Sequence, residues 1–151
     1  MKTFEDLRVE LQSLHIVNGN QYLLTMTLAN QNQKKSVWVG LNADSGAVNG
    51  RITDSGGFQC PLDPRALSGI QAGRTFVSYQ TLEYKLYGFE PATEIKPGDS
   101  ISATVTFFST GGRPATTGLC NLQLEFLVGH DFNPIAGSVK VHNLVTKIEV
   151  Q

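Results

Sequence analysis

Charged side chains are scarce in this sequence. Of its 151 residues, 12 are Lys or Arg and 13 are Asp or Glu, which together make 17% of the chain and leave a net charge of −1. An average globular protein carries about 25% charged residues. Proteins that bind nucleic acid neutralise its phosphates with clustered Lys and Arg. No such cluster exists in this chain, so we expect no nucleic-acid partner.

Long apolar runs are missing as well. A helix that crosses a bilayer needs roughly 20 consecutive apolar residues, and no stretch of this chain approaches that length. The N-terminal sequence MKTFEDLRVE also has no apolar centre of the kind found in signal peptides. We therefore predict no signal peptide and no membrane insertion of this segment. These two predictions do not by themselves assign a compartment.

Cysteine is limited to Cys60 and Cys120, so the chain can form at most one internal disulfide. In an exported protein that bond would close a long loop and contribute about 4 kcal/mol through the entropy of the unfolded chain. In a reducing compartment the same residues are more often buried thiols. Two cysteines alone do not decide between these states, and the sequence leaves both open.

Residue patterns typical of metal sites and of catalysis are also missing. The three histidines His15, His130 and His142 lie far from one another and from the cysteines, whereas zinc ligands usually pair at short spacing. The loops Asn42–Gly46 and Asp54–Gly57 do not have the spacing of a calcium loop with its terminal Glu. There is no Gly-x-Ser-x-Gly and no cysteine-nucleophile signature. We expect no metal, no cofactor, no catalytic residue and no enzyme activity.

Alternation of apolar and polar residues is the strongest pattern that the sequence does contain. In KPGDSISATVTFF, from Lys96 to Phe108, Pro97-Gly98 predicts a type II turn. The following residues alternate, with one face formed by Ile101, Ala103, Val105 and Phe107. A period of two indicates a strand with one buried face. The same period recurs at Gln21–Ala29 and at Leu119–Val128.

The first part of the chain predicts a hairpin. In Leu7–Val17 the apolar positions change from odd to even numbers near Gln12–Ser13, which one extra residue in a β-bulge would cause. The dipeptide Asn18-Gly19 then supplies a two-residue hairpin turn. The second strand of the hairpin is Gln21–Ala29.

The remaining segments are weaker. Short strands are predicted at Val37–Leu41 and Arg51–Asp54, and extended structure at Thr75–Tyr87. A short helix is predicted near 61–70, because Asp63 could cap a helical turn that has Pro64 at its first position. Ser109–Gly118 contains no apolar anchor, so we expect a mobile loop.

These segments predict an all-β protein. About eight to ten short strands separated by turns favour an antiparallel two-sheet β-sandwich, with a closed barrel as the alternative. No amphipathic segment is long enough for the crossover helix that a parallel βαβ fold requires. We expect a single domain over residues 1–151 with at most one short helix.

Three segments carry a resemblance to a known class of domains: LHIVNGNQYLLTMTLAN, RITDSGGF and KPGDSISATVTFF. The chain resembles the immunoglobulin-like β-sandwich modules of bacterial exported and surface-anchored proteins, many of them domains of unknown function. It lacks the Cys–Trp–Cys order of antibody domains, because Trp38 precedes both cysteines. The resemblance implies a non-catalytic module, often attached to further domains. It also implies an extracytoplasmic location, secreted or in the cell envelope, although a cytoplasmic one stays open.

The expected function is that of a non-catalytic interaction or structural module of a secreted or cell-surface protein. The alternative is a carbohydrate-binding module that stacks a sugar on exposed aromatic rings. The candidate binding residues for that alternative are Trp38, Tyr79, Tyr84, Tyr87 and Phe89. Aromatic residues in strands are more often core or cross-strand partners. The partner, protein or glycan, is not identified by the sequence.

Overall fold

The architecture is all-β, as the sequence predicts. A computed structural model describes residues 1–43, 48–80, 83–90, 92–130 and 139–151, with the side chains of all of these except 76–80 and 83–90. No helix occurs in these ranges, and hence none that is long and apolar enough to cross a bilayer. The strands are β1 (Lys2–Phe4), β2 (Leu7–Val17), β3 (Gln21–Asn30), β4 (Val37–Asn42), β5 (Gly50–Thr53), β6 (Gln59–Ser68), β7 (Ala72–Gln80), β8 (Glu83–Glu90), β9 (Thr93–Ile95), β10 (Ser100–Phe108), β11 (Gly118–Gly129) and β12 (Lys140–Val150).

The first hairpin has the predicted form. β2 and β3 pair antiparallel, and their register shifts between Leu11 and Ser13, where the sequence predicts a bulge. Asn18 and Gly19 have φ angles of 53° and 76°. Positive φ at both central residues is typical of a type I′ turn, whose twist matches that of the strands.

β10 is also confirmed as a core strand. The amide of Asp99 donates to the carbonyl of Lys96 over 3.0 Å, and Gly98 has a φ of 75°, which closes the turn before the strand. β10 then pairs with β3 along its whole length. Its inward face lies in the main core, where Tyr22, Phe107 and Phe126 are completely buried. Burying one such side chain contributes roughly 1.5–3 kcal/mol.

The sheet topology differs from the predicted antiparallel sandwich in two respects. The strands form one continuous hydrogen-bonded sheet in the order β1-β2-β3-β10-β6-β5-β11-β4-β7-β8, with β12 on β11 and β9 on β4. In addition, β4 and β7 pair parallel. β6 links two parts of this sheet, because it pairs with β5 over Gln59–Pro61 and with β10 from Leu62 onward.

The helix predicted near 61–70 is wrong, because this segment is the second part of β6. Phe107 lies opposite Leu62, and Val105 lies opposite Leu67. An advance of two residues along β10 is therefore matched by an advance of five residues along β6. The extra residues form a wide bulge, in which the amide of Arg65 donates to Asp63 Oδ1 over 3.0 Å. Proline is tolerated at such a bulge because its missing N–H breaks no ladder bond. Asp63-Pro64 therefore shapes a bulge and not a helix start.

The predicted mobile loop between β10 and β11 has defined anchors. The amide of Ala115 donates to the carbonyl of Gly19 over 2.9 Å. The amide of Thr116 donates to the hydroxyl of Tyr22 over 2.9 Å. Ala115 also packs on the core. These contacts tie the loop to the first hairpin, and none of them is visible in a local sequence pattern.

Gly69, at the end of β6, is required for the close approach of β6 to β10. Its φ is 77°, and a Cβ added there would overlap the carbonyl oxygen of Ser102. Gly111 has a similar φ of 69° with nothing near its Cβ position. We expect Gly69→Ala to lower the free energy of unfolding more than Gly111→Ala, because left-handed strain costs about 1–3 kcal/mol and overpacking adds about 1–3 kcal/mol. Urea unfolding of both variants measures the difference, and equal losses would contradict the close approach.

Candidate binding cleft

An open cleft lies on the surface where β5, β6 and β11 run side by side. Its volume is about 530 Å³. This is within the range of about 300–1,000 Å³ that is usual for binding pockets. The lining is mainly polar and consists of Val48, Asn49, Gly50, Arg51, Gln59, Pro61, Gln123 and Glu125.

The strand register explains why these side chains converge. Arg51 on β5 lies opposite Gln123 on β11 and opposite Pro61 on β6. Residues directly opposite each other in antiparallel strands project from the same face of the sheet. Their neighbours Ile52 and Leu122 project inward and are completely buried. The polar positions of three strands thus form one row on the outside.

Glu125 fixes one end of this row. Its Oε1 accepts a hydrogen bond from Asn42 Nδ2 over 2.7 Å, and its Oε2 accepts one from Asn49 Nδ2 over 3.0 Å. The amide of Asn49 also donates to the carbonyl of Asn42 over 3.0 Å. Hydrogen bonds to a charged group contribute about 1.5–3 kcal/mol each. The carboxylate therefore locks the β4–β5 connection against β11 and preforms the wall of the cleft.

Apolar side chains are exposed beside the polar cleft. Val145 on β12 lies opposite Gln123 and is 62% exposed, and Leu119 on β11 is 55% exposed. Phe58, in the turn between β5 and β6, is 52% exposed. Together with the cleft these residues form what we call the outer face. Its members are Arg51, Phe58, Gln59, Pro61, Leu119, Gln123, Glu125 and Val145.

Phe58 is held in place by a turn that the sequence marks as Asp-Ser-Gly-Gly. Asp54 is buried, and its Oδ1 accepts hydrogen bonds from the amides of Gly56 and Phe58, each over 2.9 Å. The Arg113 guanidinium lies 3.4 Å from Asp54 Oδ2 and 3.3 Å from the centre of the Phe58 ring. The charge pair and the cation–π contact bring the β10–β11 loop onto the edge of the outer face.

Of the five predicted aromatic residues, the structure describes the side chain of Trp38 alone. Trp38 is half-buried on β4 and packs against Leu127 and Val139. The side chains of Tyr79, Tyr84, Tyr87 and Phe89 lie outside the described residues, although the backbone register places Tyr79 opposite Tyr84.

Trp38 and Tyr79 are far apart in the register. β4 and β7 pair parallel, with Leu41 opposite Ala72. Trp38 lies before Leu41 on β4, and Tyr79 lies after Ala72 on β7, so the two residues lie on opposite sides of this pair. At about 3.3 Å per residue the two are separated by roughly 30 Å along the strand direction.

Both cysteines are free and buried, and the register explains why they are not bonded. Cys60 on β6 lies opposite Ile52 on β5, which in turn lies opposite Leu122 on β11. β5 therefore separates Cys60 from Cys120 by two strand spacings, roughly 10 Å, beyond the reach of a disulfide. Burial raises the pKa of both thiols, and that of Cys120 rises to about 11, with smaller contributions from Cys60 and Asp54.

Two of the three histidines, His130 and His142, contact side chains near the N-terminus. His130 Nε2 lies 2.6 Å from Asp6 Oδ2. Hydrogen bonds from Asn32 and from His130 lower the pKa of Asp6 below its usual value. The ring of His142 stacks on Phe4 with 5.0 Å between centres. Within the described ranges, no group of three or more His, Cys, Asp or Glu side chains could hold a metal ion.

The residue patterns of the sequence did not indicate the polar cleft. The available signal was the polar half of the alternation in β11, where Gln123 and Glu125 alternate with the buried residues Leu122, Leu124 and Phe126. A local pattern shows that such residues face solvent. It does not show that Arg51 and Pro61, from other strands, stand beside them.

Comparisons with known proteins find distant structural likenesses. No family model matches the chain, and no curated protein matches it. Self-complemented MyfA, the major subunit of Myf fimbriae from Yersinia enterocolitica, is 12% identical over 96% of this chain and 98% of its own, with a TM-score of 0.41. AggA, the major subunit of aggregative adherence fimbriae type I from Escherichia coli, is 9% identical over 99% and 97%, with a TM-score of 0.48.

A third solved structure is a variant β-glucosidase from Listeria innocua in complex with laminaribiose. It is 13% identical over 99% of this chain but only 16% of its own, with a TM-score of 0.33. All three TM-scores lie below 0.5. We therefore take no family membership and no functional role from these likenesses.

The Glu125 carboxylate makes a testable contribution to stability. Glu125→Gln replaces one accepting oxygen by an NH₂ group that faces the NH₂ of an asparagine, so one of the two hydrogen bonds is lost. We expect the free energy of unfolding to fall by about 1–3 kcal/mol. Glu149→Gln, at an exposed position on β12, serves as the control and should change it little. If urea unfolding gives the same loss for both variants, Glu125 does not lock the cleft wall.

The state of the cysteines is tested by thiol titration. Because the pKa of both thiols is raised, little thiolate forms near pH 8, and the thiolate is the reactive species. We expect the native protein to react slowly with a disulfide reagent and the unfolded protein to yield two thiols per chain without reductant. Rapid reaction of the native protein, or the absence of free thiols after unfolding, would contradict the described burial and separation.

Proposed function

We propose that the chain is a non-catalytic interaction module that binds a protein partner through its outer face. The observation that carries this proposal is the preformed polar cleft beside three exposed apolar side chains. Protein interfaces combine apolar contacts with hydrogen-bonding groups in this way, and they are rich in aromatic residues and arginine. Both Phe58 with its stacked Arg113 and the cleft residue Arg51 fit that composition.

The chemistry of the cleft suits a polar segment of polypeptide. Gln59 and Gln123 offer amide groups that can both donate to and accept from peptide groups. Arg51 is exposed on the cleft wall and can donate to a carbonyl or carboxylate oxygen. Because Glu125 is already held by Asn42 and Asn49, little ordering of this wall is required on binding.

The cleft favours a protein over a sugar as its ligand. A sugar ring commonly stacks its apolar face on an aromatic side chain, and the described residues that line this cleft include no aromatic ring. Phe58 lies nearby but is covered on one side by the Arg113 guanidinium. The immunoglobulin-like classification, the single domain and the secreted or cell-surface location stay predictions from the sequence.

Site-specific photo-crosslinking in the organism of origin tests the proposal. A photoreactive phenylalanine analogue is placed at Gln123 or Val145 on the outer face. In matched controls it replaces His15 on β2 or Ser102 on β10, which are exposed and do not belong to the outer face. We expect a discrete protein adduct from the outer-face positions and none from the controls.

A second substitution shows whether the adduct depends on the cleft. Arg51→Glu reverses an exposed charge on the wall and should reduce the adduct from Val145 at least tenfold without lowering the melting temperature. Two results would refute an outer-face interaction: adducts of equal yield from the outer-face and control positions, or an adduct that Arg51→Glu leaves unchanged.

A further inference from the structure

We propose that a second cleft, between the bulge of β6 and the end of β10, binds a neutral sugar ring. This cleft has a volume of about 450 Å³ and shares no described lining residue with the outer-face cleft. Its lining consists of Asn20, Gln21, Leu62, Asp63, Pro64, Arg65, Phe108 and Ser109. The proposal does not depend on the protein-binding role of the outer face.

The bulge of β6 creates this cleft. Between Leu62 and Leu67 the strand has three residues more than the facing part of β10 requires, and these residues leave the ladder. Asp63 Oδ1 accepts the amide hydrogen of Arg65, and the ring of Pro64 fixes its own φ. The bulge is therefore a defined wall, and β10 ends directly below it at Phe108.

The lining offers the two kinds of contact that a sugar ring needs. Phe108 supplies an aromatic surface for the apolar face of the ring. Hydrogen-bonding groups surround it, with the Asp63 carboxylate as acceptor and the exposed Arg65 guanidinium as donor. Gln21 Oε1 accepts from Asn18 Nδ2 over 3.0 Å, which leaves the NH₂ group of Gln21 to donate elsewhere. Sugar hydroxyls both donate and accept, so they match this mixed set.

The charge balance of the lining favours a neutral ligand. Asp63 and Arg65 carry opposite charges on the same wall, and the other described residues of the lining are uncharged. An anion would meet the Asp63 carboxylate and a cation would meet the Arg65 guanidinium. A neutral polyhydroxylated ring is repelled by neither charge, and its hydroxyl groups can form hydrogen bonds with both Asp63 and Arg65.

Ser109 supplies an independent observation. It is only 8% exposed, and its amide donates to the carbonyl of Asn20 over 2.9 Å. Its hydroxyl is buried and has no hydrogen-bond partner within the described ranges. An unpaired buried hydroxyl costs about 1–3 kcal/mol. A ligand hydroxyl in the cleft could supply that partner through rotation of the serine side chain.

Nuclear magnetic resonance titration of the full chain tests the proposal. The probes are the methyl glycosides of glucose, galactose, mannose and N-acetylglucosamine, added singly to isotope-labelled protein. We expect at least one of them to cause saturable shifts of the amide signals of Asn20, Gln21, Arg65, Phe108 and Ser109. The dissociation constant should be on the order of 1 mM or tighter.

Three variants determine whether binding uses this cleft. Arg65→Ala removes the donor, and Phe108→Leu keeps an apolar side chain but removes the aromatic ring, so each should weaken binding at least tenfold. Gln123→Ala, in the outer-face cleft, should leave the affinity unchanged. The proposal is overturned if no glycoside causes saturable shifts, if the shifts map to the outer face, or if Arg65→Ala and Phe108→Leu bind as tightly as the original protein.

Discussion

β6 pairs with two different strands along its length, and the arrangement of the other strands depends on this switch. The first part of this strand bonds to β5, and the second bonds to β10. That switch joins the part of the sheet that contains β11 and β12 to the part that contains β2, β3 and β10. The first part contributes Gln59 and Pro61 to the outer-face cleft. The bulge in the second part contributes the wall of the second cleft.

The close packing around β6 limits what the chain can have at nearby positions. Gly69 must lack a side chain because its Cβ would overlap the backbone of β10 at Ser102. A Cβ at Gly50 would lie 2.9 Å from Leu62 Cδ1, so β5 and β6 are also in tight contact. The packing that brings the strands together thus also fixes the walls of both clefts, and a ligand would meet preformed surfaces.

Local patterns in the sequence predict the parts of the fold that local physics determines. β3, β10 and β11 alternate clearly because one face of each is buried, and Asn18-Gly19 specifies its turn through backbone conformation alone. The parallel pairing of β4 with β7 has no local signal, because it joins residues about 30 positions apart in the chain. The Asp63-Pro64 pair misleads for a physical reason. An aspartate that accepts a nearby amide and a proline without an N–H suit a helix start and a strand bulge equally well.

The candidate sites are less predictable than the strands, because each is assembled across the register. Polar residues at alternate positions are recognisable as solvent-facing, but Arg51, Pro61 and Gln123 meet only after three strands have paired. The same holds for Phe108, Arg65 and Asn20 in the second cleft. The predicted aromatic set stays a prediction, because the side chains of Tyr79, Tyr84, Tyr87 and Phe89 lie outside the described residues.

A nuclear Overhauser map of β6 in solution tests the strand switch most directly. The switch predicts cross-strand contacts between Cys60 and Ile52, between Leu62 and Phe107, and between Leu67 and Val105. It also predicts that Asp63–Ala66 has no regular ladder contact with β10. Sequential amide contacts typical of a helix over 61–70, or an unbroken ladder between β6 and a single partner, would contradict the strand switch and with it both clefts.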